Sequence, residues 1–247
     1  TEDVMIIEIS SDKFGSISFD LTLDRAGRCK EGTTPEGYLK VYGNLDSGTD
    51  ADGLGYTSYA KVLAIGGEIA AKEATQTTDG QKTSPYLEIR DVDKAWIIIS
   101  AATSWFEGTD HDAAALERVD NAVSDIEVAL KKGRNAKASK LMDKMHEKSI
   151  LAYQDLYNRA GISIGSESTN PSNAGQSSAA PTTTDQRIVN YAAGCKDNAL
   201  VSLYYNYGRY LLISSTRPGS LPPNLQGLWA NSFNTPWNGD YHTNINV

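Results

Sequence analysis

No run among the 247 residues comes near the roughly 18 consecutive apolar side chains that a membrane-spanning helix requires. The longest apolar stretches, 95–102 and 210–213, have the size of core strands and helix segments. The first residues lack the basic-then-apolar pattern of a secretory signal. That absence carries no weight in a chain that, as argued below, is expected to begin part-way through a domain. Cysteine is scarce: Cys29 and Cys195 stand far apart without metal-ligand spacing, so free thiols are expected and no compartment is assigned. No Asn-x-Ser/Thr acceptor occurs, and nothing in the sequence marks N-glycosylation. Basic residues are outnumbered, 23 Lys and Arg against 31 Asp and Glu, for a net charge of −8. With no basic stripe interleaved with aromatics, a nucleic-acid partner is argued against. Of the three histidines, His111 and His146 have no matched ligand partner and read as surface residues.

What remains is the composition of a globular chain, 40% apolar and 22% charged. Up to about residue 102 the pattern is strand after strand. Ile17, Phe19, Leu21 and Leu23 alternate with Ser18, Asp20 and Thr22, the period of a half-buried strand. Residues 4–9, 38–42, 56–65, 86–89 and 95–102 are further strands. Turn clusters at 12–15, 31–37, 44–55, 66–67 and 77–85 separate them. Many short strands without interleaved helices predict an antiparallel β-sandwich. Asp46, Asp50 and Asp52 lack the order of a calcium loop and read as solvated loop residues.

From residue 110 the period changes. Leu116, Val119, Val123, Ile126 and Leu130 predict a helix that ends near Lys131, Lys132, Gly133 and Arg134, the basic side chains complementing its dipole. Leu141, Met145, Ala152, Leu156 and Ala160 predict a second helix closed by Gly161, with Met142 and Met145 in core packing. Residues 165–184, rich in Ser, Thr, Ala, Pro and Gly, read as a connector or surface loop. A capping box at 183–186 then opens a short helix ending at Gly194. Asp197 caps a stronger helix with Leu200, Leu203, Tyr204, Tyr207 and Leu211 on one stripe.

The chemistry is concentrated between Gly208 and Val247, where a loop holds tryptophans, asparagines, a glutamine and a histidine with little aliphatic content. Aromatic faces stack on the C–H surfaces of sugars, and amides both donate to and accept from hydroxyls. On composition alone, a turn-rich loop whose Trp and Asn residues serve packing and Asx turns reads equally well. Asn244 and Asn246, two apart, would share one side of an extended segment with His242, while Ile245 turns to the core.

The string Asp240-Tyr-His-Thr-Asn-Ile-Asn246, with the runs 209–215 and 217–229 upstream, resembles the barrel entry of the inverting α-L-fucosidases of glycoside hydrolase family 95. The likeness extends more weakly over the rest of the chain. It implies a partial N-terminal β-sandwich at 1–108, a helical linker at 109–164, a connector at 165–184 and the start of an (α/α)6 barrel at 185–247. The implied reaction removes terminal α-L-fucose, α-1,2-linked, from a glycan with inversion, using an acid on one face and an activated water on the other, the catalytic groups roughly 6.5–9.5 Å apart. Asn246 and Asn244 are then the catalytic amides holding the water, and Asn246 activates it. An amide is a poor base, so a carboxylate must assist it. That carboxylate and the general acid come from later family segments, and Asp240 is expected only to hold the loop. His242 and Asn244 bind the sugar, the histidine going with fucose where a threonine goes with L-galactose, and Trp229 and Trp237 are candidates for stacking at the pocket rim or for core packing. Arg209 and Arg217 are expected to bond loop carbonyls or carboxylates, and Asn224 and Gln226 to support the loop. The resemblance implies no metal or cofactor, no membrane, and an extracellular or periplasmic place. It also makes the chain a piece whose partner is the remainder of the same enzyme. The alternatives are an α-L-galactosidase on the same scaffold and a non-catalytic carbohydrate-binding fragment.

Overall fold

The computed structural model describes residues 3–46, 48, 52–75, 83–165, 183–230, 232 and 235–244, and for 52 and 132–137 the backbone alone. The chain forms two compact units, Thr1–Asp143 and Lys144–Val247. Most of the predicted connector, 166–182, lies outside the described residues. Among the described residues no helix is long and apolar enough to cross a membrane.

The first unit holds two antiparallel sheets. Five strands follow the order β1 (Met5–Ser10), β8 (Lys94–Thr103), β5 (Asp52–Ile65), β4 (Leu39–Asp46), β3 (Lys30–Thr33). Three more follow the order β2 (Ile17–Thr22), β7 (Tyr86–Val92), β6 (Glu68–Lys72). Leu39, Ala60, Val62, Ala95 and Ile97 of the larger sheet pack with Leu87, Ile89 and Val92 of the smaller one. The other face of the larger sheet, through Tyr59, Trp96 and Ile98, packs on Ala115, Val119, Ala122, Val123 and Ile126 of a helix. The expected antiparallel sandwich is therefore present, with a helix as its third layer. Burying side chains as large as Trp96, Ile98, Val119 and Ile126 contributes about 1.5–3 kcal/mol each.

Two strands escaped the sequence reading. β3 falls where a turn cluster is expected, and β6, Glu-Ile-Ala-Ala-Lys, has a helix-former's composition. Both are edge strands, paired on one side only, so neither needs an apolar alternation. The turn at Gly66 and Gly67 between β5 and β6 is as expected. At Gly67, with φ +58°, a Cβ would meet the Arg90 carbonyl oxygen at 2.1 Å.

After a short helix α1 (Ser104–Glu107), one continuous helix α2 (His111–Tyr157) of 47 residues replaces the two expected. Gly133 does not end it, because a mid-helix glycine costs only about 1 kcal/mol and the pattern resumes beyond it. The cluster Lys131, Lys132, Arg134 thus lies mid-helix rather than at a helix end. Lys131 makes an i,i+4 pair with Glu127 at 3.4 Å. Leu116, Leu130, Leu141 and Met142 pack against the core, as their spacing suggests. The start of α2 is fixed by Asp112, whose carboxylate accepts from Thr57 Oγ1 at 2.9 Å and pairs with Lys40 Nζ at 2.7 Å. Burial by itself would raise the Asp112 carboxyl. The hydrogen bonds and charge of Lys40, with the Thr57 hydroxyl, outweigh it and hold the group below the usual aspartate range. Tyr38, also buried, donates to Asp120 Oδ1 at 2.5 Å; burial and then that carboxylate hold its phenol protonated.

In the second unit, Lys144–Tyr157 of α2 is followed by α3 (Thr184–Ala192) and α4 (Asn198–Ser215). Thr183 stands at the N-cap of α3, but no side-chain cap bond forms there, so the predicted capping box is not realised. Its hydroxyl donates to the Asp185 carboxylate instead. Gly194, at φ +98°, ends α3: the Cys195 amide donates to Asn190 O and the Gly194 amide to Tyr191 O, both at 3.0 Å. The expected stripe of α4 is exposed at Leu203, Tyr204 and Tyr207, while Leu200 is buried.

Candidate functional site at the loop after helix α4

Two ion-pair and capping arrangements hold α4, and with it the loop that follows. Asp197 caps the helix, accepting from the Leu200 amide at 3.0 Å, as its place in the sequence predicts. The same wholly buried carboxylate takes a two-pronged bond from Arg187 of α3. Near the other end of α4, Arg209 donates through Nη2 to the carbonyls of Tyr157 at 2.6 Å and Leu156 at 3.4 Å. These are among the last carbonyls of α2, which have no partner within their own helix, and a cation is favoured there. Arg217 reaches the Ala152 carbonyl at 3.4 Å. Both arginines bond carbonyls, but those of helix α2 and not the loop carbonyls or carboxylates expected.

Beyond Ser215 the chain is held by its own polar groups rather than by burial. The Leu225 amide donates to Asp240 O at 3.1 Å, and the Gln226 side chain donates to Pro236 O at 3.4 Å. Asn224 closes the turn before them, its side-chain oxygen accepting from the Gln226 amide at 2.9 Å. Asn224 and Gln226 therefore support the loop, and Asp240 holds it through its backbone.

Between these stitches lies an unusual turn. Trp237, Asn238 and Gly239 all have left-handed backbone, with φ of +59°, +53° and +65°. Such a conformation costs an L-residue with a side chain roughly 1–2 kcal/mol and rarely recurs at consecutive positions. The amides of Asn238 and Asp240, donating to Thr235 O and Trp237 O, fasten it. The Asn238-Gly239 pair is the sequence signal for this turn, because both residues tolerate the left-handed region. The sequence made Trp237 a candidate for rim stacking or for core packing, and at 70% exposed it is not core.

The structure places the candidate residues as follows. Trp229 is about half exposed, at 52%, and its indole nitrogen donates to Ser215 Oγ at 3.1 Å, so it is anchored to the end of α4 and is not core. His242 is half-buried, its ring perpendicular to that of Trp237 with centroids 6.0 Å apart. Asn244 is exposed and lies with Thr243 in a turn. The extended geometry that would put His242 and Asn244 on one side is therefore not found at this point. A turn changes the side-chain direction at each residue instead of alternating it. Asn246 and Ile245 lie outside the described residues.

In residues 216–247, Asp240 is the one carboxylate and Arg217 the one permanent cation. The loop thus presents amides, aromatic rings and an imidazole. Groups of that kind are chemically suited to hydroxyls and to the apolar faces of sugars. An open cleft of about 580 Å³ between the end of α2 and α4, lined by Tyr153, Tyr157, Tyr210 and His146, includes none of Trp229, His242 or Asn244.

Comparison with known proteins bears on the same segment. The sequence model described as the glycosyl hydrolase family 95 catalytic domain matches residues 141–247. Alpha-L-fucosidase 2 of Arabidopsis thaliana is 27% identical over 263 aligned positions, which take in 100% of this chain and 29% of that protein. A probable alpha-fucosidase A of Aspergillus niger is 63% identical over 51 residues, 21% of this chain and 6% of that protein. Its counterpart in Aspergillus oryzae is 53% identical over 62 residues, 24% of this chain and 9% of that protein. The chain therefore spans less than a third of the length of the curated relatives it matches. The catalytic-domain match covers both α4 and the Trp- and Asn-rich loop, so residues 141–247 are similar to the catalytic domain of glycosyl hydrolase family 95.

Proposed function

We propose that the protein carrying this chain is an α-L-fucosidase that removes terminal α-1,2-linked fucose from glycans with inversion of configuration. The observation that carries this reading is the family match over 141–247, the segment that holds the amide-rich loop. The relatives named as α-fucosidases support it. In this reading, residues 185–247 begin an (α/α)6 barrel, preceded by a connector at 165–184, a helical linker at 109–164 and a β-sandwich domain at 1–108. Asn244 and Asn246 hold the attacking water, and Asn246 passes its proton toward a carboxylate supplied by another segment, as is the general acid. His242 and Asn244 contact the sugar, and Trp229 lines its approach. The enzyme works outside the cytoplasm, where fucosylated glycans are met.

The test is an assay of the full natural-length protein on 2′-fucosyllactose, followed by NMR of the freshly released sugar. Initial release of β-L-fucose is expected. Release of the α anomer would overturn inversion, faster release of L-galactose from the matching galactoside would overturn the substrate, and binding without release would overturn catalysis.

A further inference from the structure

We infer that Trp237 is a positioning residue for sugar selectivity, fixing the plane of the His242 imidazole through the left-handed turn at residues 237–239. This rests on the fucosidase reading, in which His242 contacts the sugar. The argument starts from the backbone. A bulky residue at φ +59° followed by Asn238 at φ +53° is conformationally costly, and hydrophobic burial does not offset that cost, since Trp237 is 70% exposed. Glycines at 237 and 238 would adopt the same turn without strain. What the turn does achieve is a fixed ring pair: indole and imidazole perpendicular at 89°, centroids 6.0 Å apart. Rings in that arrangement and distance range attract through their quadrupoles, and the contact restricts rotation of both. Three independent ties hold the platform under the indole: Leu225 to Asp240, Gln226 to Pro236, and Asp240 to Trp237. The Gly239 position is closed in too, since a Cβ there would lie 3.4 Å from both the Asn224 amide nitrogen and the Thr235 hydroxyl. The whole segment is thus built to present one exposed ring at one angle to His242.

An imidazole that is fixed discriminates between sugars better than one that rotates, because a free ring accommodates either a methyl or a hydroxymethyl group. Trp237 therefore affects the choice between an α-L-fucoside and an α-L-galactoside more than it affects folding. The experiment compares Trp237→Leu and Trp237→Phe with wild type in the full natural-length protein, measuring kcat/KM on the nitrophenyl α-L-fucoside and α-L-galactoside. The Leu variant is expected to lower the fucoside-to-galactoside ratio by about three- to tenfold, the value of an aromatic pair. The Phe variant, which keeps a ring, should stay within about twofold of wild type. Both should keep the wild-type Tm, because an exposed side chain leaves no core cavity. A Leu variant with the wild-type ratio would sink the inference while leaving the fucosidase reading intact. So would a Phe variant that loses selectivity as fully as Leu does. A wild-type protein that cleaves neither substrate would sink the fucosidase reading itself, and the inference with it.

Discussion

Arg187 and Asp197 form a two-pronged ion pair, Nε to Oδ2 at 2.9 Å and Nη2 to Oδ1 at 3.0 Å, in which the aspartate side chain is wholly buried. The carboxylate also caps α4, so one group holds the helix end and ties α3 to it.

Removing the cation takes the two-pronged ion pair away from a wholly buried charge. Arg187→Leu should therefore destabilise the protein by about 3–5 kcal/mol. Arg187→Lys, which keeps the charge but loses the planar fork, should cost less. Urea titration of both variants checks this, and equal stability of Arg187→Leu and wild type would show that the pair contributes nothing.

Asp112 gives the fold an acid limb. Its carboxyl is held below the ordinary value of 3.8, so its contribution is fully present above that pH. It is lost as the pH falls through the depressed folded-state value. The group is half exposed and screened by solvent, so the contribution is about 1 kcal/mol or less. Asp112→Asn should lower Tm slightly at neutral pH and flatten the fall in Tm below about pH 4. A variant whose acid limb matches wild type would assign that limb to other carboxylates.

Asn246 is proposed to hold and activate the water. Asn246→Ala should lower kcat on 2′-fucosyllactose by roughly 10²–10⁴-fold, the range of general-base assistance, with a much smaller change in KM. Steady-state kinetics on the full natural-length enzyme decide this. A rise in KM with kcat unchanged would make the residue a ground-state binder instead.

The sandwich was legible because strands such as β2 and β8 carry apolar residues in the right period or in a continuous run. β3 and β6 were not, since edge strands bonded on one side accept Lys30, Glu31, Glu68 and Lys72 without penalty. Gly133 misled as a helix stop because a local cost of about 1 kcal/mol is small against the core contacts on either side. At the candidate site, residue identity pointed to the loop, and the Asn238-Gly239 pair signalled its turn. The ring pair of Trp237 and His242, however, depends on dihedral angles and on ties from Gln226 and Leu225 that have no sequence period. The turn at Thr243 and Asn244 escaped for the same reason: nothing in Thr-Asn distinguishes it from extended chain.

Strand β8 sits between two interiors. Ala95 and Ile97 face the smaller sheet, and Trp96 and Ile98 face α2. A strand of this kind has no neutral side on which replacements can drift. Mutational tolerance along β2 should come in alternating stripes, whereas residues 95–98 should form one unbroken band of intolerance. Sequence divergence in this domain is thereby pushed outward to the edge strands and the turns.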